Sequence, residues 1–197
     1  AQGARNALAA GFDGVEVLHV QMQDESNAAL QKIKHQAHSL GLALMGLSTH
    51  QGFVSPEEDL RRTHVQKTLY QIDLAYRLGI PTMRINTGRW GTVKSFDDFM
   101  AMKGVEPPPE GHSEEEAFGW VIGSIEQLLP RAEECGVVLG LENHWGLGYA
   151  LDLDYARIAA ILRKAGYRGW ISLEFEGNED AENGVPKSLA LLREHFS

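Results

Sequence analysis

A repeating pattern of helix, glycine and short apolar strand runs along the chain. Five glycines each follow a helical stretch and precede a strand by a few residues, and they are Gly11, Gly41, Gly79, Gly136 and Gly166. Glycine commonly ends a helix because it adopts the left-handed conformation without steric cost. The strands that follow are Val15–Val17, Leu44–Leu47, Met83–Asn86, Val138–Leu141 and Ile171–Glu174. The pattern predicts five helix–strand units with parallel strands.

Within these strands, apolar residues take the odd-numbered positions, and small or polar residues take most of the even-numbered ones. A central strand of an open parallel sheet is apolar on both faces. A barrel interior can instead hold a polar site in its upper layer, at the C-terminal ends of the strands. The alternation therefore predicts an α/β fold of the TIM (β/α) barrel type. No glycine-rich phosphate loop follows the first strand, which weakens the alternative of a dinucleotide-binding sheet.

Helix starts and breaks are also legible. Ser55 with Glu58, and Ser113 with Glu116, have the spacing of capping boxes. Pro130 lies inside a helical stretch and is expected to kink it.

Composition and charge exclude several classes of protein. The chain has 197 residues, 43% of them hydrophobic, and a formal net charge of -9. So acidic a chain is a poor candidate for binding nucleic acid or an anionic membrane surface. Its single cysteine, Cys135, excludes an intramolecular disulfide. Without a signal peptide or a long apolar run, a cytoplasmic protein is expected.

Two glutamates stand out, because each ends a strand on the polar face. Glu142 ends the strand after Gly136, and Glu174 ends the strand after Gly166. Two carboxylates that converge in a partly enclosed cavity favour a proton or a divalent cation between them. Such a cation could hold two oxygens of a sugar, and the carboxylates could move a proton at the neighbouring carbon. The alternative is that both glutamates pair with Arg84 or Arg89 in a buried network.

Further candidates lie at or just beyond the strand ends. His50, Arg84 and Asn86 could hydrogen-bond a polyhydroxylated or anionic ligand, although each could equally serve a structural role. The predicted substrate contacts are His50, His144, Arg84, Asn86, Trp90 and Trp145. Glu16 and Arg89 are expected to contact these residues, rather than the substrate, and to orient their side chains.

Three segments resemble a known family, the sugar phosphate isomerases and epimerases with a xylose isomerase-like TIM barrel. They are residues 11–16, 136–146 and 166–174. By this resemblance, Glu142 and Glu174 are metal ligands from the fifth and eighth strands, and they flank the reacting carbon. The resemblance implies a divalent ion, Mn, Mg, Co or Zn. It also implies that a sugar or hydroxy-ketone is isomerised or epimerised through an enediolate.

The chain departs from the family pattern in its metal ligands and in its number of strands. The family supplies an Asp from the sixth strand and a His from the seventh, and neither is found here. About five of the eight strands are readable, and five parallel strands cannot close a barrel. We therefore expect residues 1–197 to be a single domain of this type that lacks the first strand and a stretch near residues 148–150. Either stretches of a longer chain are absent, which the abrupt join at residues 146–150 favours, or the protein is a natural or engineered deletion.

Two other functions remain open. A non-catalytic relative that binds a sugar or a partner protein is favoured if the Asp and His ligands are truly absent. An endonuclease that cuts DNA at abasic sites shares the architecture, but the net charge of -9 argues against it. Exposed barrel edges would favour association of the chain into a homo-oligomer.

Overall fold

The computed structural model describes residues 2–102, 104–142, 155–175 and 180–196. Its elements are α1 (Gln2–Ala10), β1 (Gly14–Leu18), a short 3-10 helix (His19–Gln21), α2 (Asn27–Ser39), β2 (Ala43–Ser48), α3 (Glu58–Leu78), β3 (Thr82–Ile85), α4 (Phe96–Ala101), α5 (Glu114–Glu126), α6 (Leu129–Cys135), β4 (Val138–Leu141), α7 (Tyr155–Lys164) and α8 (Ala181–Phe196). Among these helices, none is both long and apolar enough to cross a membrane. The predicted join near residues 148–150 lies outside the described residues.

Four parallel strands form one sheet in the described part of the chain, in the order β1-β2-β3-β4. This arrangement confirms the predicted α/β fold as a partial, TIM-barrel-like sheet with its helices between successive strands. The fifth predicted strand is not part of the sheet. Residues 170–175 have no regular secondary structure and approach β1 through side chains, since a Cβ atom on Gly14 would lie 3.3 Å from the Trp170 ring.

The five glycines of the repeating pattern all have positive φ, between 65° and 90°. Gly79 is representative, with φ of 71° directly after the last residue of α3. Its N–H donates to the Tyr76 carbonyl at 3.0 Å, which satisfies an oxygen that the ending helix leaves without a partner. The glycine signal therefore located the ends of the helices correctly.

The hydrophobic core lies between the outer face of the sheet and the helices α3, α5 and α6. Leu47, Met83 and Ile85 belong to it, as the odd-numbered positions predict. The alternation breaks at the start of β2, where the pairing with β1 skips Met45. Leu44, an even-numbered residue, packs against the core there. A bulge of one extra residue reverses which side chains face each side of a strand.

Helix starts follow the sequence signals only in part. The Ser113 hydroxyl accepts from the Glu116 N–H, and the Glu116 carboxylate accepts from the Ser113 N–H, so this capping box is confirmed. At Ser55 the prediction was wrong, because α3 begins at Glu58 and the Ser55 hydroxyl accepts from the Glu57 N–H instead. Pro130 stands in the first turn of α6 and separates this helix from α5, rather than kinking one continuous helix.

Opposite effects on stability are expected for alanine at two glycines that both have free space around a new Cβ atom. Gly79→Ala should destabilise the fold by about 1 kcal/mol, because φ is positive there. Gly119→Ala, inside α5, should stabilise it by about 1 kcal/mol, because alanine has the higher helix propensity. Urea unfolding measures both. Equal signs would contradict the assigned backbone conformations.

Candidate functional site

A polar cluster surrounds Arg84 on the inner face of the sheet. The Arg84 guanidinium donates from Nε to the Ser48 hydroxyl at 2.6 Å and from Nη1 to the Glu142 carboxylate. Its Nε also lies 3.9 Å from a carboxylate oxygen of Glu16. The Arg84 side chain is only 12% exposed, so these contacts are largely shielded from water. Three strands and the residue after β4 thus contribute to one site.

Strand register explains why these residues meet. Ser48 of β2 is paired with Arg84 of β3, and Arg84 with Gly140 of β4. The Glu142 N–H donates to the Ile85 carbonyl at 2.8 Å, which extends the pairing of β3 and β4 by one residue. Residues two apart on a strand share a face, so Glu142 lies on the same side as Gly140 and Arg84.

The absence of a side chain at Gly46 leaves the space that the Glu16 side chain occupies. Gly46 is paired with Glu16, and a Cβ atom added to Gly46 would lie 3.1 Å from Glu16 Cγ. The other side of this carboxylate is held by the Ser172 hydroxyl, which donates to Glu16 Oε2 at 2.8 Å. The segment after Gly169 therefore reaches the same cluster as the four strands.

The cluster has an excess of negative charge and one donor without an acceptor. Two carboxylates face one guanidinium, which gives a net charge of -1 for the three groups. Arg84 Nη2 is buried and has no hydrogen-bond partner among the residues that the structure describes. A buried donor left without a partner costs about 1–3 kcal/mol. Nη2 is therefore the guanidinium nitrogen that could still donate a hydrogen bond.

The two predicted catalytic glutamates are placed differently. Glu142 lies in the Arg84 cluster, where the pairing matches the buried-network alternative for this residue. Glu174 is exposed, in the segment after Gly169, and makes no hydrogen bond or ion pair with any other described residue. The convergence of Glu142 and Glu174 on one ligand therefore stays a prediction.

A resident divalent metal does not fit the described donor set. Within residues 2–102, 104–142, 155–175 and 180–196, no three His, Cys, Asp or Glu side chains are grouped so that they could hold a metal ion. The guanidinium of Arg84 already neutralises Glu142. Glu142 Oε2 is therefore engaged, and Oε1 is the oxygen of this carboxylate that is left for another ligand.

Asn86 is buried at the end of β3 and is held by Gln51. The Asn86 side-chain oxygen accepts from the Gln51 N–H at 3.1 Å, and the Asn86 N–H donates to Gln51 Oε1 at 3.0 Å. Because a backbone N–H can only donate, the side-chain oxygen of Asn86 is committed, and its NH2 group is the end left for a ligand. The neighbouring predicted contact, His50, is exposed.

Arg89 and Trp90 begin a separate assembly beyond β3. Arg89 Nη1 lies 3.6 Å from a carboxylate oxygen of Glu106, so this arginine faces neither Glu142 nor Glu16. The Glu106 side chain is 1% exposed and accepts from the backbone N–H groups of Gly91 and Val93. Trp90 is half-buried, with its ring edge-on to Trp120 at a centroid distance of 5.9 Å. The predicted contacts His144 and Trp145 lie outside the described residues.

Several residues of the site were not singled out from the sequence. Ser48 and Ser172 lie at even-numbered positions of the predicted polar face, and this was the only sequence signal that they belong to the site. Gln51 and Glu106 gave no signal, since a lone polar residue in a loop does not reveal that folding buries it. Both hold backbone N–H groups that would otherwise lose their hydrogen bonds on burial.

The family model described as "Xylose isomerase-like TIM barrel" matches residues 4–152. The chain belongs to this family. The match spans about three quarters of the chain, including all four strands and the Arg84 cluster up to Glu142. No curated protein matches the chain.

Solved structures with the same fold include sugar epimerases. The 3-keto-D-glucoside 4-epimerase of E. coli is 16% identical, with a TM-score of 0.67 over 97% of this chain and 92% of that one. The D-psicose 3-epimerase of Clostridium cellulolyticum H10 is 12% identical, with a TM-score of 0.68 over 100% and 93%. A D-psicose 3-epimerase with D-fructose present is 13% identical, with a TM-score of 0.69 over 99% and 93%. At these identities the likeness establishes the fold that the family members share.

His64 on α3 holds the loop that carries His50 and Gln51. The Gly52 N–H donates to His64 Nδ1 at 3.2 Å, which requires a neutral imidazole at that nitrogen. Burial lowers the pKa of His64, and the charge of Lys67 lowers it further. The folded protein therefore takes up a proton at this ring less readily than the unfolded chain does.

Folding stability should consequently decrease in acid. The contribution of His64 is complete above the ordinary histidine pKa of about 6.5 and is lost as the pH falls through the lowered folded value. His64→Gln keeps an acceptor for the Gly52 N–H but does not titrate, so the fall in Tm between pH 7.5 and pH 5 should be smaller in this variant. His35→Gln, on the exposed face of α2, should behave like the wild type. An equal fall in all three proteins would refute the role of His64.

Proposed function

We propose that this protein is a sugar or sugar-phosphate isomerase or epimerase that moves a proton beside a carbonyl group through an enediolate. The observation that carries the proposal is the buried Arg84 donor, which has no described partner and lies beside the Glu142 carboxylate at the strand ends. In barrel enzymes this end of the strands holds the catalytic residues. The family match and the shared fold with sugar epimerases support the same reaction class.

Each residue would have a separate task. The carbonyl oxygen of the substrate would accept from Arg84 Nη2, and the guanidinium would stabilise the negative charge that develops on this oxygen. Glu142, held against Arg84, would move the proton at the adjacent carbon, with Glu174 on the opposite face. His50, Asn86 and Trp90 would contact the remaining hydroxyl groups, together with His144 and Trp145.

The charge of the cluster bears on the substrate. Its net charge of -1 repels an anion, and Arg89 is already paired with Glu106. A neutral ketose or aldose is therefore favoured over a phosphorylated sugar. A hydroxy-ketone of similar size would meet the same groups.

Family members commonly depend on a metal, and Mn, Mg, Co or Zn is what the resemblance implies for this chain. Because the described donor set does not fit such an ion, the tasks above are assigned without one. A cytoplasmic location stays a prediction from the sequence.

A non-catalytic sugar-binding protein is the second candidate. The pairing of Glu142 with Arg84 favours it, since this carboxylate is already engaged by a guanidinium. Either function is compatible with a homo-oligomer. Edge strand β4 exposes 64% of Val138 and 56% of Leu141, and both would be covered by association.

Exchange of a carbon-bound hydrogen with solvent deuterium distinguishes the two functions. The wild type, incubated with a panel of ketoses and aldoses in deuterium oxide, should incorporate deuterium beside the carbonyl carbon. Glu142→Gln should lower the exchange rate at least 100-fold, because amides do not move protons. Mass spectrometry and NMR of the recovered sugars measure the exchange.

Glu133→Gln, on the exposed side of α6, is the matched control and should exchange at the wild-type rate. Sugar binding without exchange in the wild type would replace the proposal by the non-catalytic alternative. Exchange that survives Glu142→Gln unchanged would reject the assigned base.

Replacing the arginine tests whether its guanidinium takes the place of a cation. Arg84→Met leaves Glu16 and Glu142 without their positive partner, so a divalent ion should bind there at least ten times more tightly than in the wild type. Calorimetric titration with Mn²⁺ measures the affinity. Arg62→Met, which removes an exposed arginine on α3, should leave it unchanged. Equal Mn²⁺ affinity in Arg84→Met and the wild type would show that the two carboxylates do not converge.

A further inference from the structure

A line of polar side chains connects the end of β3 with the end of β1 through α3. The Asn86 N–H donates to Gln51 Oε1 at 3.0 Å, and Gln51 Nε2 lies 3.4 Å from Gln71 Oε1. Gln71 Nε2 lies 3.0 Å from His19 Nδ1, and His19 Nε2 lies 2.8 Å from Glu25 Oε1. We call these five residues the Asn86–Glu25 chain. Gln51 and Gln71 are buried, so water does not compete for their hydrogen bonds.

A branch of the chain reaches the candidate site. Gln51 Nε2 donates to the Thr49 hydroxyl at 2.7 Å, and this hydroxyl donates to the Arg84 carbonyl at 2.7 Å. The chain is therefore bonded to the backbone of both Arg84 in β3 and Asn86 directly after it. Any reorientation of the Gln51 side chain would disturb both residues.

The direction of every bond in the chain follows from one fixed donor. Because the Asn86 N–H can only donate, the oxygen of Gln51 must face it, and the NH2 group of Gln51 must face Gln71. The oxygen of Gln71 then faces Gln51, and its NH2 group faces His19. His19 Nδ1 must accept this bond, so a neutral ring carries its proton on Nε2. That is the nitrogen beside the Glu25 carboxylate, which can only accept.

A charged His19 contradicts this direction, because it donates from both ring nitrogens. Its Nδ1–H would meet the NH2 group of Gln71. Turning the Gln71 amide would bring its NH2 group against that of Gln51, which the Asn86 N–H prevents from turning. We propose that protonation of His19 and the closed Asn86–Glu25 chain exclude each other, so that His19 is a positioning residue whose charge controls the end of β3.

The two partners of the His19 ring make different demands on its protons. The Glu25 carboxylate can accept from Nε2 in the neutral or the charged ring, whereas the Gln71 NH2 group can bond only to an Nδ1 that carries no proton. Two more groups face Glu25, namely the Tyr70 hydroxyl, which donates to Oε2, and the Arg77 guanidinium, which donates to the backbone carbonyl at 3.0 Å. The hydrogen bond to Glu25 raises the pKa of Tyr70, so this hydroxyl remains a donor in neutral and acidic solution. The Gln71 amide is therefore the group that prevents His19 from being charged while the chain is closed.

NMR of the full chain tests the proposal without a substrate. The ¹⁵N signals of the His19 ring should show a proton on Nε2 alone at pH 8. As the pH is lowered to 5, protonation of His19 should displace the Asn86 backbone amide signal with the same midpoint. A neutral ring with its proton on Nδ1, or a titration of His19 that leaves the Asn86 signal in place, would overturn the proposal.

Gln71→Glu separates the two events, because it replaces the NH2 group with an oxygen of the same size. The introduced carboxylate can accept from His19 Nδ1 and still accept from Gln51. His19 should then carry both protons at pH 7, while the Asn86 signal keeps its position throughout the titration. A wild-type His19 that stays neutral to pH 5 also supports the exclusion if it is charged in this variant, whereas a ring that is neutral in both proteins overturns it.

Two further variants complete the experiment. Gln71→Met cuts the chain without adding charge, so His19 should titrate without moving the Asn86 signal. Tyr70→Phe removes a bond beyond His19 and should keep the coupled titration of the wild type. Unchanged amide signals in β4 and α5 show that each variant is folded.

The relevance of Asn86 to substrate binding rests on the proposed function, but the NMR result does not. Coupled titration together with no deuterium exchange at any pH would reject the proposed function and leave the chain established. Deuterium exchange in the wild type, together with a His19 titration that leaves the Asn86 signal in place, would support the proposed function and overturn the proposed coupling along the Asn86–Glu25 chain.

Discussion

The inner face of the sheet depends on the charge of Arg84. Glu16 of β1 and Glu142 after β4 both approach Arg84 on a largely shielded face, where two carboxylates without a cation would repel each other and lose their hydration. The guanidinium between them makes this arrangement stable and also binds Ser48 of the strand between. Strand pairing, side-chain direction and charge thus all place Arg84 where it contacts both carboxylates. The same residue presents the donor on which the proposed chemistry rests.

The sequence predicts the repeating units well, because their signals are local. A glycine that ends a helix and a strand with one apolar face can each be recognised within a few residues, as at Gly79 and Met83. The start of α3 and the break at Pro130 were less predictable, since the same residues are compatible with several caps and turns. The bulge at Met45 is set by pairing with another strand and has no signature in its own segment.

The candidate site was predictable in its composition but not in its contacts. The even-numbered positions identified Glu16, Arg84 and Glu142 as residues of one face, and the structure brings these three together. Which carboxylate the arginine binds depends on the relative positions of three strands, which the sequence of any single strand does not contain. The pairing of Arg89 with Glu106 shows the same limit, since 17 positions separate these residues in the sequence numbering. The fold alone does not determine what this cluster can do, which depends on these contacts.

Gly46 shows how a position without a side chain can shape the Arg84 cluster. A methyl group there would press on Cγ of the neighbouring glutamate, which would have to shift by a few tenths of an ångström relative to the arginine and Ser172. A larger residue at this position in a relative would thus change where the carboxylate lies while every charged side chain stayed the same. A comparison of only the ionisable residues in such barrels would overlook Gly46, whose missing Cβ atom leaves room for one of those residues.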